Sequence, residues 1–345
     1  MSPLPGYATF ACIGKGCGGT ADIVCGESLA KERGKTTAVA IRICPLEHCP
    51  LTDLQEEVHL LRHLKHANII TLIDCRRVEE TLYLVFPLMD FGSLTDIVHA
   101  RFIFGIPELA IVMVLRDLLL AIDYLHKSDI IHRSIRCSHV LVSSSGKCCL
   151  SGLRYATRLI DRGSRRHVIH EFPPNSKCNL LWLAPEVLQQ NLSGYGSRSD
   201  IYSLGISICE MANGFPPFSD MERIQMLLEK MRGTTPRLLD RHTCADVEGP
   251  IEHSKREFSS HLHEFTALCL QPQPAHRPSA SELLTNPLFK MLKKNKETLL
   301  DLLQPLTPMS SAKMRESQNT NDDAGKRLAH ISSDPIEDFS YDWEF

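Results

Sequence analysis

Apolar residues return along this chain at two different periods, and the change of period divides it. From Phe10 to about Phe86 the pattern is mainly that of strands. Ala38-Val39-Ala40-Ile41-Arg42-Ile43 is rich in small and β-branched residues, and Thr81 to Phe86 is a compact apolar run; both predict strands. Between them Leu54, Val58, Leu61 and Leu64 recur at helical spacing, which predicts an amphipathic helix from about Thr52 to Lys65. Pro87-Leu88-Met89-Asp90-Phe91-Gly92 reads as a linker, because its Pro and Gly break regular structure. From about Pro107 to Leu292 the period is helical. Leu109 to His126 is apolar almost throughout, as in a helix buried in a large lobe, and Asp200–Asn213 and Phe258–Leu270 also predict helices. No repeat appears at solenoid periods. Beyond Leu303 the chain turns to Ser, Asn, Asp and Lys and predicts a disordered linker, which closes on Phe339-Ser340-Tyr341-Asp342-Trp343-Glu344-Phe345.

This pattern predicts an α+β protein with a β-rich small lobe over 1–87, a mostly helical large lobe over 88–297, and a flexible tail over 298–345. A length of 345 residues suits a two-lobed domain with a tail. With 38 Lys and Arg against 41 Asp and Glu, the net charge of −3 implies neither a nucleic-acid nor a membrane partner. The 13 cysteines include no C-x-x-C pair, and His48-Cys49 and Cys148-Cys149 lack zinc-ligand spacing, so no metal is expected. Met1-Ser2-Pro3-Leu4-Pro5 does not resemble a secretory signal, and no uncharged apolar run reaches membrane-spanning length. Reduced, buried thiols and a location in cytoplasm and nucleus are the expectation.

The chemistry concentrates in Ile131-His132-Arg133-Ser134-Ile135-Arg136-Cys137-Ser138-His139, which has the layout of the protein-kinase loop H-R-D-L-x-x-x-N. Ser134 stands in place of the catalytic Asp and His139 in place of the magnesium-binding Asn. Where a kinase has Asp-Phe-Gly, the chain reads Gly152-Leu153-Arg154. The motifs that maintain a kinase-like architecture are kept. Ala184-Pro185-Glu186 matches A-P-E, and Asp200-Ile201-Tyr202-Ser203-Leu204-Gly205 matches D-x-W-x-x-G with Tyr for Trp. Arg277 is suited to pair with Glu186 by bidentate hydrogen bonds. In the first lobe Gly14-Lys15-Gly16-Cys17-Gly18-Gly19 fits G-x-G-x-x-G, and Val39-Ala40-Ile41-Arg42 resembles V-A-I-K, with Arg42 expected to pair with Glu57.

The replacements remove reaction chemistry. A serine hydroxyl is too weak a base to take the substrate proton, and general-base assistance is worth about 10²–10⁴-fold. Gly152 offers no carboxylate to a bridging magnesium, and His139 is a poor ligand for a hard, oxygen-preferring ion. Asn179 replaces the Thr usual before A-P-E. Nucleotide binding is a separate matter. Ile13, Gly14, Gly16 and Gly19 are positioned to cover phosphates, and Ala40, Phe86, Met89 and Leu141 to line an adenine slot. Arg42, Arg136 and Arg154 bring positive charge, so ATP is expected to bind without magnesium and without hydrolysis.

His132-Arg133-Ser134, Ser151-Gly152-Leu153-Arg154, Leu183-Ala184-Pro185-Glu186-Val187-Leu188-Gln189-Gln190-Asn191-Leu192 and terminal Trp343-Glu344-Phe345 resemble the STRAD family of pseudokinase adaptors, relatives of the sterile-twenty kinases. The resemblance implies a two-lobed protein-kinase-like fold and a non-catalytic adaptor. It implies as partners a liver kinase B-type Ser/Thr kinase, which the adaptor activates, and an armadillo-like scaffold of the Mo-twenty-five family, in a heterotrimer. Arg165 and Arg166, in a basic segment with Arg158, Arg162 and His167, are expected at the kinase partner. Trp343, Glu344 and Phe345 are expected to dock on the scaffold. The chain departs from the family in its full Gly14-Gly16-Gly19 set and in Cys17 at the loop tip. The competing expectation is an atypical Ser/Thr kinase with weak residual activity that uses Asp161 or Glu171 as a substitute base.

Overall fold

The computed structural model describes residues 4–16, 19–30, 36–49, 51–161, 164–166, 168–173, 176–190, 193–244 and 251–309. They form two units, one from the chain up to Cys49 with Asp74–Val85, the other from Pro50–Ile73 with Phe86–Met309.

The β-branched runs of the first unit pair into one sheet. Strands β1 (Tyr7–Gly16), β2 (Ala21–Ser28), β3 (Ala38–Pro45), β4 (Asp74–Val78) and β5 (Thr81–Pro87) lie in the order β1-β2-β3-β5-β4. The pairs β1–β2, β2–β3 and β4–β5 are antiparallel. Alternation puts Val39 and Ile41 of β3 on one face with Tyr83 and Val85 of β5, closed by Leu4 and Tyr7. Gly26 sits where the sheet is tightest, since a Cβ there would stand 2.5 Å from the Ala8 carbonyl oxygen.

The second unit is built on α3 (Glu108–Lys127), whose near-continuous apolar sequence buries residues on every turn, Ile111, Leu115, Leu118, Ile122 and Leu125 among them. Before it come α1 (Leu51–His63) and α2 (Leu94–Arg101); the latter opens on a capping box between Ser93 and Asp96. After it, short strands β6 (Ile130–Ile131), β7 (Val140–Val142) and β8 (Cys148–Leu150) flank the loop motifs. Strand β9 (Thr157–Arg158) pairs with β6, and β10 (Ile160–Asp161) with β11 (Ser164–Arg165). Helices α4 (Pro185–Gln189), α5 (Arg198–Asn213), α6 (Arg223–Arg232), α7 (Ile251–Ser254), α8 (Ser260–Cys269), α9 (Ala280–Leu284) and α10 (Leu299–Leu302) complete it. Helix α5 is buried from Ser199 to Asn213 and stops at Gly214, whose φ of 90° is open to glycine.

The predicted elements are all present, with ends displaced by a residue or two. Two boundaries differ from the sequence reading. Helix α1, placed by sequence in the small lobe, belongs with the second unit, because Leu60, Leu61 and Leu64 join the same buried cluster as α3. The chain beyond 298 is also packed as far as Met309. Leu299 and Leu303 are buried in that cluster, and the Met309 N–H donates to the Asp90 carbonyl at 2.7 Å. The leucines of 299–306, which precede the polar sequence, seat this segment. The terminal Trp343, Glu344 and Phe345 lie outside the described residues, as do Cys17, Arg162 and His167. Among the described residues no helix is long and apolar enough to cross a membrane, and the cysteines are free thiols.

Candidate functional site

The loop Ile131–His139 runs between β6 and β7 and is held from below by the first turn of α5. The Asp200 carboxylate accepts from the backbone N–H of His132 and of Arg133, each at 2.9 Å, and lies 2.8 Å from His126 Nε2. Burial pushes this carboxyl up. The hydrogen bonds and positive potential from His126, with His132 beside it, outweigh that and hold it below the usual carboxylate range. His132 is fully buried. Its Nε2 faces the Ser151 carbonyl at 2.9 Å and so carries the proton, while Nδ1 accepts from the Ser134 N–H at 3.2 Å. Burial lowers its pKa in keeping with this neutral tautomer.

On this platform the replaced residues bind one another. His139 Nδ1 donates to the Ser134 carbonyl at 2.7 Å, with Ser134 Oγ at 3.2 Å. His139 Nε2 accepts from Arg136 Nη2 at 3.3 Å. Asn179 Nδ2 donates to Ser134 Oγ at 2.7 Å, which clasps the segment before A-P-E to the loop without any charge. Arg136 also donates to the Cys178 carbonyl at 3.2 Å and lies over the Trp182 ring at 5.6 Å, so its guanidinium is oriented by the activation segment. Sequence reasoning assigned Arg136 to phosphate; the structure gives its terminal nitrogens these two other partners. It also missed the Ser134–His139–Asn179 network, whose signal is that all three replacements are uncharged hydrogen-bonding residues.

Gly152 completes the site. Its φ is 80°, and a Cβ there would stand 2.4 Å from His139 Nδ1 and 2.5 Å from Cγ. The imidazole therefore fills the space that the first carbon of a side chain at 152 would take. These residues do not fit a magnesium ion: position 152 brings no carboxylate, and both nitrogens of His139 are already in use.

The activation segment is anchored at its far end. Arg277 is 1% exposed, and its Nη1 and Nη2 donate to the Glu186 carboxylate at 2.6 and 2.9 Å. It also donates to the carbonyls of Gln271, Arg198 and Pro272. Glu210, not singled out from sequence, accepts from Trp182 Nε1 at 2.9 Å and from Thr95 Oγ1 at 3.0 Å, and burial raises its pKa. Arg165 is in close ionic contact with Asp129 at 2.6 Å, while Arg158 and Arg166 are exposed. Of the two substitute bases, Glu171 is exposed, with its carbonyl taken by the Tyr195 hydroxyl at 2.6 Å; the Asp161 side chain lies outside the described part.

The residues expected at nucleotide divide between the two units. Ile13, Gly14 and Gly16 lie on β1, Gly19 just beyond it, and Ala40 and Arg42 on β3. A Cβ at Gly16 would meet Arg42 Cδ at 3.2 Å, so this glycine makes room for the arginine stem. Phe86, Met89, Leu141 and Arg154 belong to the second unit, as does Glu57 on α1. Leu141 pairs with Ser93 in an antiparallel bridge, and Arg154 sits in the 3-10 turn Leu153–Tyr155.

A β-rich unit, a helical unit, an Asp200-held loop and a Glu186–Arg277 anchor define a protein-kinase domain. Residues 7–289 match the protein kinase domain family. The chain is 38% identical to STE20-related kinase adapter protein alpha of Bos taurus, over 98% of this chain and 97% of that protein. It is 37% identical to the alpha protein of Homo sapiens, over 98% of this chain and 84% of that one. With STE20-related kinase adapter protein beta of Homo sapiens it shares 35% identity, over 80% of this chain and 74% of that one. The chain belongs to the STE20-related kinase adapter family.

Proposed function

We propose that this protein is a catalytically inactive pseudokinase that acts as an adaptor and allosteric activator of a liver kinase B-type Ser/Thr kinase. The complex is a heterotrimer with an armadillo-like scaffold of the Mo-twenty-five family, in cytoplasm and nucleus. The observation that carries this reading is the mutual engagement of Ser134, His139 and Asn179 beside Gly152. Among the described residues, Ser134, His139, Asn179 and Gly152 offer no carboxylate to accept a substrate proton or to bridge a metal to phosphate. The names of the relatives, which call them kinase adapters, support the adaptor half. The kinase partner is proposed to meet the activation segment at Arg158 and Arg166, together with Arg165. The scaffold is proposed to take Trp343, Glu344 and Phe345, whose aromatic side chains suit pockets between repeats.

Reconstitution tests this directly. The purified chain with partner kinase and scaffold should raise the partner's activity, while the chain alone transfers no radiolabelled phosphate. Charge reversal at Arg158 and Arg166, which leaves the Arg165–Asp129 contact intact, should reduce activation at least about tenfold, since like charges across an interface cost several kcal/mol. Transfer by the chain alone would return the reading to an atypical kinase, and activation unaffected by the reversal would remove this surface from it.

ATP is proposed to bind without magnesium and without being hydrolysed. Millimolar ATP in EDTA should raise the melting temperature as much as ATP with magnesium does. A rise seen only with magnesium, or no rise at all, would exclude metal-independent binding.

A further inference from the structure

Lys230 on α6 is 1% exposed, and among the described residues no carboxylate pairs with it. Its Nζ donates to three backbone carbonyls, those of Leu180 at 3.2 Å, Leu181 at 2.5 Å and Leu183 at 2.8 Å. The same nitrogen lies 5.3 Å from the Tyr202 ring centroid and 5.7 Å from that of Phe218. An ammonium has three N–H donors and matches three acceptors, whereas a neutral amine would turn a lone pair on one carbonyl. Burial pushes the Lys230 pKa down to about 7, and the carbonyl oxygens and ring faces oppose that loss of the proton.

The carbonyl between these is also taken. Ser203 Oγ donates to the Trp182 oxygen at 2.9 Å, and the Asn179 oxygen accepts from the N–H of Trp182 and of Leu183. Every carbonyl from Asn179 to Leu183 thus has a donor. In kinases switched by phosphorylation, a new Arg–phosphate pair orders this segment. Here Arg133 already donates to the Tyr155 carbonyl and to the Tyr195 hydroxyl.

We propose that Lys230 is a buried ammonium clamp that holds Leu180–Leu183, the platform before Ala184-Pro185-Glu186, in one conformation without phosphorylation. This deepens the adaptor reading, on which it rests for the idea that the platform faces a partner. The clamp itself is a property of the unbound chain.

Hydrogen exchange on the full chain tests it without any partner, so failure here and failure of the adaptor reading are distinguishable. Lys230→Met keeps most of the stem and removes all three donors. The Trp182 and Leu183 amides should then exchange at least about 30-fold faster, beyond any uniform change in α3 and α8. Met226→Ala is the control, because Met226 is 2% exposed on the same helix and its loss destabilises α6 without touching the carbonyls. It should leave the 182–183 amides in step with the rest. Unchanged exchange in Lys230→Met, or an equal local loss in Met226→Ala, would overturn the clamp. If Lys230→Met does not fold, Lys230→Gln keeps two N–H donors and should show a smaller loss at the same amides. In the unaltered chain at pH 6, below the lowered pKa of about 7, ¹⁵N spectra should show a slowly exchanging lysine ammonium; its absence would also overturn the proposal.

Discussion

Gly152→Asp is expected to destabilise the protein by about 3 kcal/mol and to produce no phosphoryl transfer. The new Cβ would stand 2.4–2.7 Å from three atoms of the His139 ring, so the imidazole must leave its bonds to the Ser134 carbonyl and to Arg136. Overpacking of this kind costs about 1–3 kcal/mol, and a non-glycine residue at φ 80° costs about 1 kcal/mol more. Removing the ring should relieve most of the clash. His139→Asn combined with Gly152→Asp is therefore expected to be more stable than the sum of the single changes predicts, by at least about 2 kcal/mol. Urea unfolding of the four members of the cycle measures this. A Gly152→Asp protein as stable as the parent, or additivity within about 0.5 kcal/mol, would show that the two positions are independent.

Arg277→Met is expected to cost about 3–5 kcal/mol, because it leaves the Glu186 carboxylate buried without its partner. The guanidinium also ties together the carbonyls of Gln271, Arg198 and Pro272 and lies 5.0 Å over the Tyr202 ring, so its loss loosens both the 271–272 turn and the start of α5. The double change Glu186→Gln, Arg277→Met should recover part of the loss, since a neutral amide is less costly to bury than a carboxylate. A single-variant loss under about 1 kcal/mol in urea unfolding would mean that water reaches and compensates Glu186. The same ring of Tyr202 carries Lys230 on its other contact, so this residue, which stands where a tryptophan is usual, joins two buried cations of the large unit.

Much of the site was legible in the chain because it depends on local order. Ser134, His139 and Gly152 are recognised by their distance from His132-Arg133 and from one another, and Glu186, Asp200 and Arg277 by motifs a few residues long. Helix α3 announced itself through an apolar sequence too continuous for a surface helix, and α1 through its spacing of leucines. The assignment of α1 to a unit was not legible. Its amphipathic face shows that it packs but not upon what, and contact with Leu60, Leu61 and Leu64 decided the matter. The segment from Leu299 to Met309 falls within the predicted tail because the Ser-, Asn-, Asp- and Lys-rich sequence follows directly after it, whereas the burial of Leu299 and Leu303 depends on a surface supplied by distant residues.

By itself, then, the amino-acid sequence determined the kinase-type architecture, and it places Ser134, His139 and Gly152 at the motif positions on which the inactive reading rests, since both follow from which residue type occupies a motif position. Only the tertiary structure decided what the replacements do. A histidine at 139 and a glycine at 152 are separate positions in the chain; they become one steric unit because β7 and β8 bring them so close that a Cβ at 152 would stand 2.4 Å from His139 Nδ1. Nothing in the order of residues around Lys230 marks it out; its burial comes from three carbonyls of residues 180–183 that close over it. The physical reason is the same in both cases. Residue type fixes which donors, acceptors and volumes are present, but hydrogen bonding and exclusion act over about 3 Å, and that distance is set by the fold.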